Sequence, residues 1–203
     1  RAFMLGKLYR FITEERLFHK GFDFGAPRPV AFFPGTFDPF SLSHKGIVQD
    51  IRDRGFEVYL AIDEFSWSKK TQPSLVRRQL ASMSVADEFD VYLFPHDFPV
   101  NLSNPDDLQA LRRCFAGREL YLAVGSDVVA NASSYRLPPS PGCVQEMNHI
   151  VFRRQSDADG QAIDADLSRI QGKVLELQLP THLEDISSSR IRDNIDLGRD
   201  ISN

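Results

Sequence analysis

The chain has 203 residues, enough for one α/β domain with an appendage. A hydrophobic share of 42% excludes a disordered chain, and a net charge of −4 excludes a surface built as a whole to bind polyanions, so nucleic acid is not expected as a partner. Cys114 and Cys143 form neither a metal nor a disulfide pattern, no apolar run is long enough to span a bilayer, and the first residues lack a signal-peptide core; the expectation is a cytoplasmic protein without membrane partners.

Residues 5–20 predict an amphipathic helix, with Leu5, Leu8, Tyr9, Ile12 and Arg16 on one face. A Gly- and Pro-containing loop over 21–29 follows. We therefore divide the chain into an N-terminal helix and linker, 1–28, and a main domain, 29–203. The start at Arg1 sets the expectation of a longer, multidomain parent chain. Oligomeric state is not legible.

The main domain alternates. A strand over 30–33 leads through a Gly-containing turn to a helix beginning near His44, where Ile47, Val48 and Ile51 fall at helical spacing. A strand over 56–62, a loop over 63–71 and a helix over 73–87 follow, the last opening on Pro73. Next come a strand over 91–94, a helix over 105–115 and a strand over 120–124. Residues 133–142 read as a surface loop and 156–166 as a polar, exposed stretch. Strands over 149–152 and 174–179 precede a final helix over 187–197. Alternating elements with near-continuous apolar strands predict an α/β protein: a parallel sheet of five or six strands, with helices on both faces.

Four groups of residues carry candidate chemistry. In the first turn Gly35 permits close backbone approach, Thr36 offers a hydroxyl and an amide, and Ser41 and His44 can present side chains to a phosphate. The same spacing also fits helix capping by Ser43 or His44. Near the other end, Ser187, Ser188 and Ser189 open a helix that carries Arg190 and Arg192 in its first turns. Cations oppose the dipole there, a conflict that a bound anion removes. Lys69 and Lys70, with Arg77 and Arg78 beyond, form either a ligand-facing basic cluster or a solvated loop. Trp67 is either a stacking residue or an anchor. In Gly125-Ser126-Asp127, the aspartate at a strand's carboxyl end either accepts ribose hydroxyls or joins Ser126 as a helix cap. His19, His96, His149 and His182 show no metal-ligand spacing and read as structural or surface residues.

The first and last groups together resemble the nucleotidyltransferases that carry HxGH and ISSTxIR signatures. Gly35-Thr36-Phe37-Asp38-Pro39 matches G-T-F-D-P, His44 falls on the second histidine, and Ile186 to Arg192 matches I-S-S-[ST]-x-I-R. Ser41 stands where the first histidine would, a place where phosphopantetheine adenylyltransferases carry threonine. Ser43 replaces the intervening glycine. Gly125-Ser126-Asp127 is similar to the G-x-D of nicotinate and nicotinamide mononucleotide adenylyltransferases. The resemblance implies a Rossmann-like sheet and an enzyme that transfers AMP from ATP to a mononucleotide phosphate, releasing pyrophosphate, with Mg²⁺ bridging phosphates and no protein metal cage. It implies that His44 and Ser41 meet the triphosphate and that Lys69 or Lys70 neutralises the transferred phosphoryl. Ser187, Ser188, Ser189 and Arg192 would hold the outer phosphates, Gly35, Thr36 and Phe37 would place the acceptor phosphate, and Asp127 would meet ribose. Its alternatives are a cytidylyltransferase acting on a phospho-alcohol and a non-catalytic nucleotide-binding domain.

Overall fold

The computed structural model describes residues 28–62, 71–153, 160–179 and 188–197. The predicted helix over 5–20, Trp67, Lys69, Lys70 and Ser187 lie outside the described residues. Six strands form one parallel sheet: β1 (Val30–Gly35), β2 (Glu57–Ile62), β3 (Val91–Leu93), β4 (Leu120–Gly125), β5 (Asn148–Arg153) and β6 (Val174–Gln178). Their order is β3-β2-β1-β4-β5-β6, so the chain reverses its direction of travel between β1 and β4. Among the described residues the helices are α1 (Leu42–Asp53), α2 (Ser74–Ser84), α3 (Pro105–Cys114), α4 (Ser126–Asn131), α5 (Ser133–Arg136), α6 (Gly160–Leu167) and α7 (Ser188–Asp196), with a 3₁₀ turn at Val144–Glu146.

Alternation along each strand builds two cores. Ala31, Phe33, Val58, Leu60 and Ala123 face Ile47, Val48 and Ile51 of α1 and Ala81 of α2. Val30, Phe32, Leu122, Val124 and Val151 face Leu108 and Leu111 of α3, Val129 of α4 and Tyr135 of α5. The expected α/β architecture is present, with six strands.

Local boundaries differ for physical reasons. Helix α1 starts at Leu42 with Ser41 as N-cap, earlier than the apolar periodicity indicates and not capped by Ser43 or His44. Pro73 sits just before α2 rather than inside it. Asn104 caps α3 by accepting the Asp106 N–H at 3.1 Å, which leaves Pro105 at the first helical position, where no N–H is needed. Residues 160–167, expected as an exposed polar stretch, form helix α6, and Leu167 enters the core.

The expected surface loop over 133–142 begins as helix α5, and a buried polar pair explains why. The Tyr135 hydroxyl lies 2.8 Å from His149 Nε2, and His149 Nδ1 lies 2.8 Å from the Met147 carbonyl. The carbonyl accepts the Nδ1 proton, so Nε2 accepts the tyrosine proton. Gln145 Nε2 donates to the Tyr135 carbonyl at 2.8 Å. Burial pushes the Tyr135 hydroxyl up in pKa and His149 down to about 4 from 6.5. Between about pH 6.5 and 4 the unfolded chain binds a proton that the folded chain refuses, so stability falls as pH falls through that window, by about 3 kcal/mol from this residue at the lower end. Urea melts at pH 7 and 4.5 should show this loss in the wild type and a shallower pH dependence in His149→Gln. Equal slopes would assign the acid sensitivity elsewhere.

Candidate active site

Strands β1 and β4 pair only from Val30↔Leu120 to Phe32↔Leu122. Beyond that, β1 continues its ladder with β2 to Gly35↔Ile62, and β4 continues with β5 to Gly125↔Phe152. The two central strands therefore part at their carboxyl ends, where the strand order reverses. In open α/β sheets this is where ligands bind. The Gly35 turn and the Gly125-Ser126-Asp127 segment lie on the two sides of the fork.

The turn after β1 is packed from below. Phe37 has φ of 46° and is 3% exposed; its ring contacts Phe33, Phe40 and His44 at centroid distances of 5.2, 5.4 and 5.1 Å. Its side chain is part of the hydrophobic core. A Cβ on Gly35 would stand 2.7 Å from this ring. Gly35→Ala should cost roughly 1–3 kcal/mol by overpacking, read as a lower urea midpoint; an unchanged midpoint would mean that the ring moves aside freely.

His44 is the third residue of α1, and its Nδ1 accepts the Ser41 backbone N–H at 3.0 Å. This is a capping-box arrangement in which histidine supplies the reach-back acceptor usually drawn from Glu or Gln. Ser41 Oγ is also 2.9 Å from Nδ1. With Nδ1 committed as acceptor, the ring proton sits on Nε2. Ser41 is 5% exposed, with its hydroxyl turned to His44. As an N-cap its side chain folds over the first turn of the helix, where it contacts His44.

Two arginines distant in sequence hold the same turn. Arg77 Nη1 donates to the Thr36 carbonyl and Nε to the Gln72 carbonyl, the latter at 2.9 Å. Arg192 Nη1 donates to the Asp38 carbonyl and lies 3.7 Å from Asp38 Oδ2. The Asp38 carboxylate is buried and accepts the Gln72 N–H at 3.3 Å. Helix α7, opened by Ser188 and Ser189, is therefore docked through Arg192 onto the turn after β1. The two sequence motifs meet although 154 residues separate Asp38 from Arg192.

A family model of cytidylyltransferase-like proteins matches residues 32–194, a span that contains both motifs. The chain belongs to the cytidylyltransferase-like family. It is a nucleotidyltransferase, related in build to nicotinic acid mononucleotide adenylyltransferase. Two structures of the Plasmodium falciparum nicotinic acid mononucleotide adenylyltransferase, one complexed with APC and one with NaAD, are similar to it, with TM-scores of 0.66 and 0.68. Each comparison covers 86% of this chain and 87% of the other, at 16% identity, a likeness of fold. A search of the curated proteins gave no significant sequence match.

On the β4 side of this nucleotidyltransferase, Gly125 is the N-cap of α4 and Asp127 lies in its first turn. Neither Ser126 nor Asp127 caps the helix, contrary to that reading of the sequence. Asp127 Oδ1 occupies the space that a Cβ on residue 125 would need, so glycine there lets the carboxylate fold back over the strand end. Asp127 is exposed at the fork.

Sequence reasoning did not single out Asp38, Gln72 and Arg77 as supports of the turn. Arg77 read as part of a basic rim, yet it is 3% exposed. Its place four residues before Ala81, on the sheet-facing side of α2, was the available signal. Arg78 donates to the Phe94 carbonyl at 2.7 Å, and burial lowers its pKa. The basic cluster is thus partly structural. A cavity of about 260 Å³ lies at the opposite, amino edge of β4 and β5, lined by Arg118, Glu119 and Glu146 among others. Arg118 pairs with Glu57, Glu119 with Lys173, and Glu146 accepts the Gly142 N–H. Each of the three has a partner, although Arg118 Nη2 is buried without one, and neither motif reaches that edge. Among the described residues no helix is long and apolar enough to cross a membrane.

Proposed function

We propose that the fork between β1 and β4 transfers AMP from ATP to the phosphate of a mononucleotide, nicotinate or nicotinamide mononucleotide, and releases pyrophosphate. One observation carries this reading: Arg192 of the last motif meets the Asp38 carbonyl of the first, at the carboxyl end of β1. That contact brings the two motifs side by side, which supports a shared phosphate-binding role for them. The Gly125-Ser126-Asp127 segment on the far side supports a pyridine mononucleotide over a phospho-alcohol as acceptor.

The acceptor phosphate attacks the α-phosphorus of ATP in line, the bond to the bridging oxygen breaks, and pyrophosphate leaves. No protein nucleophile is required, so catalysis is positioning and charge stabilisation. In this reading His44 donates from Nε2 to the triphosphate, and Ser41 is a positioning residue that fixes the ring. Lys69 or Lys70 neutralises the transferred phosphoryl group. Ser187, Ser188, Ser189 and Arg192 hold the outer phosphates, Gly35 and Thr36 place the acceptor phosphate, and Asp127 receives ribose hydroxyls. Phe37 contributes through the backbone shape of the turn. Among the described residues no group of three or more carboxylates, histidines or cysteines is placed to hold a metal. In this reading Mg²⁺ would arrive with the ATP phosphates and would supply neutralisation of their charge.

The test is pyrophosphate release from ATP or CTP with each of nicotinate mononucleotide, nicotinamide mononucleotide and a set of phospho-alcohols. Release with ATP and a pyridine mononucleotide supports the proposal. Release only with CTP and a phospho-alcohol would replace it with a cytidylyltransferase. Nucleotide binding without turnover on any acceptor would replace it with a non-catalytic domain.

A further inference from the structure

Phe37 stands in the left-handed region, a conformation that a bulky residue keeps only where its surroundings impose it. Two contacts impose it here. The ring packs against Phe33, Phe40 and His44, and the carbonyl of the preceding residue, Thr36, accepts from Arg77 Nη1. Arg77 is itself anchored: Nε donates to the Gln72 carbonyl, and the Gln72 N–H donates to the buried Asp38 carboxylate.

The Thr36–Phe37 peptide is trans, so its carbonyl and its N–H point to opposite sides. Arg77 belongs to α2, which links β2 to β3, and it draws the carbonyl toward the β2 side of β1. The fork lies on the other side, between β1 and β4. The Phe37 N–H is thereby turned toward the fork. Among the described residues nothing accepts it, although Phe37 is buried. A backbone N–H enclosed in this way without an acceptor is rare in a folded chain and calls for an acceptor from outside it. The guanidinium on the carbonyl oxygen also polarises the peptide, which strengthens its N–H as a donor and suits it to an anion.

We propose that Arg77 is a positioning residue: by holding the Thr36 carbonyl, it aims the Phe37 N–H at the phosphate of the acceptor nucleotide. That the anion is the acceptor's phosphate rests on the function proposed above; that an anion binds there does not. Thr36-Phe37 is the only Thr-Phe pair in the chain, so carbonyl-¹³C threonine combined with ¹⁵N phenylalanine isolates this one amide by NMR. In the wild type, inorganic phosphate and nicotinate mononucleotide should each move its peak downfield. In Arg77→Met neither should, and KM for the mononucleotide should rise at least about tenfold while KM for ATP changes less than about threefold. Arg77→Lys keeps the charge and one donor, so it should recover part of both effects, and it serves as the test where methionine does not fold. An unmoved wild-type peak would overturn the proposal. So would an Arg77→Met protein that melts earlier yet keeps both the peak movement and the acceptor KM, because Arg77 would then serve stability alone. A peak that moves with phosphate in a wild type releasing no pyrophosphate supports the anion site and removes only the enzymatic reading.

Discussion

Replacing His44 by alanine should lower kcat about 10²-fold or more, the usual loss when one preorganised donor to a transition-state anion is removed. The substitution also removes the acceptor for the Ser41 N–H, so about 1 kcal/mol of stability should go with it. The two effects separate in His44→Gln. Glutamine at the third helical position can restore the reach-back bond but not the ring's Nε2 donor. We expect His44→Gln to recover most of the lost melting temperature while kcat stays low, measured by thermal melts and pyrophosphate release. If glutamine restores kcat as well, His44 acts through the helix cap and not on the phosphates. If alanine leaves turnover near the wild-type value, the assignment of His44 is wrong.

The second large effect is at Arg192. Arg192→Ala should raise KM for ATP by about 10- to 100-fold, in keeping with the loss of charge-assisted bonds to the outer phosphates, and raise KM for the acceptor by less than about threefold. Arg192→Lys should recover only part of this, because an ammonium lacks the planar fork. A purely structural arginine, serving only to hold the Asp38 carbonyl, would disturb both substrates alike, since the turn itself would move. Equal changes in the two KM values would therefore reassign Arg192 to the scaffold.

Much of the fold was legible because its strands are near-continuous apolar runs, a pattern that only a sheet covered on both faces explains. The two motifs were legible as residue types, but their supports were not. Asp38 and Gln72 meet across a loop, and Arg77 reaches Thr36 from a neighbouring helix; no local spacing encodes such contacts. The burial of Phe37 was not legible because a phenylalanine inside a motif is indistinguishable in sequence from one that packs beneath it. The N-cap role of Ser41 was not legible because an N-cap and a phosphate ligand call for the same hydroxyl. Helix α5 escaped notice because its anchor, Tyr135, finds its partner His149 across the 3₁₀ turn. Lys69, Lys70 and Ser187 stand on the motifs alone.

The parting of β1 and β4 bears on how this protein can be dissected. Between residues 33–35 and 123–125 the inner edges of the two strands present peptide groups that are not laddered to each other. Recognition through such groups has no side chain to delete. An alanine scan would pass over it in silence and credit binding to the few ionic residues nearby. Backbone chemistry, such as amide-to-ester replacement in the fork, is the perturbation that would reveal it, and the same property would let the surrounding side chains diverge while the ligand stays the same.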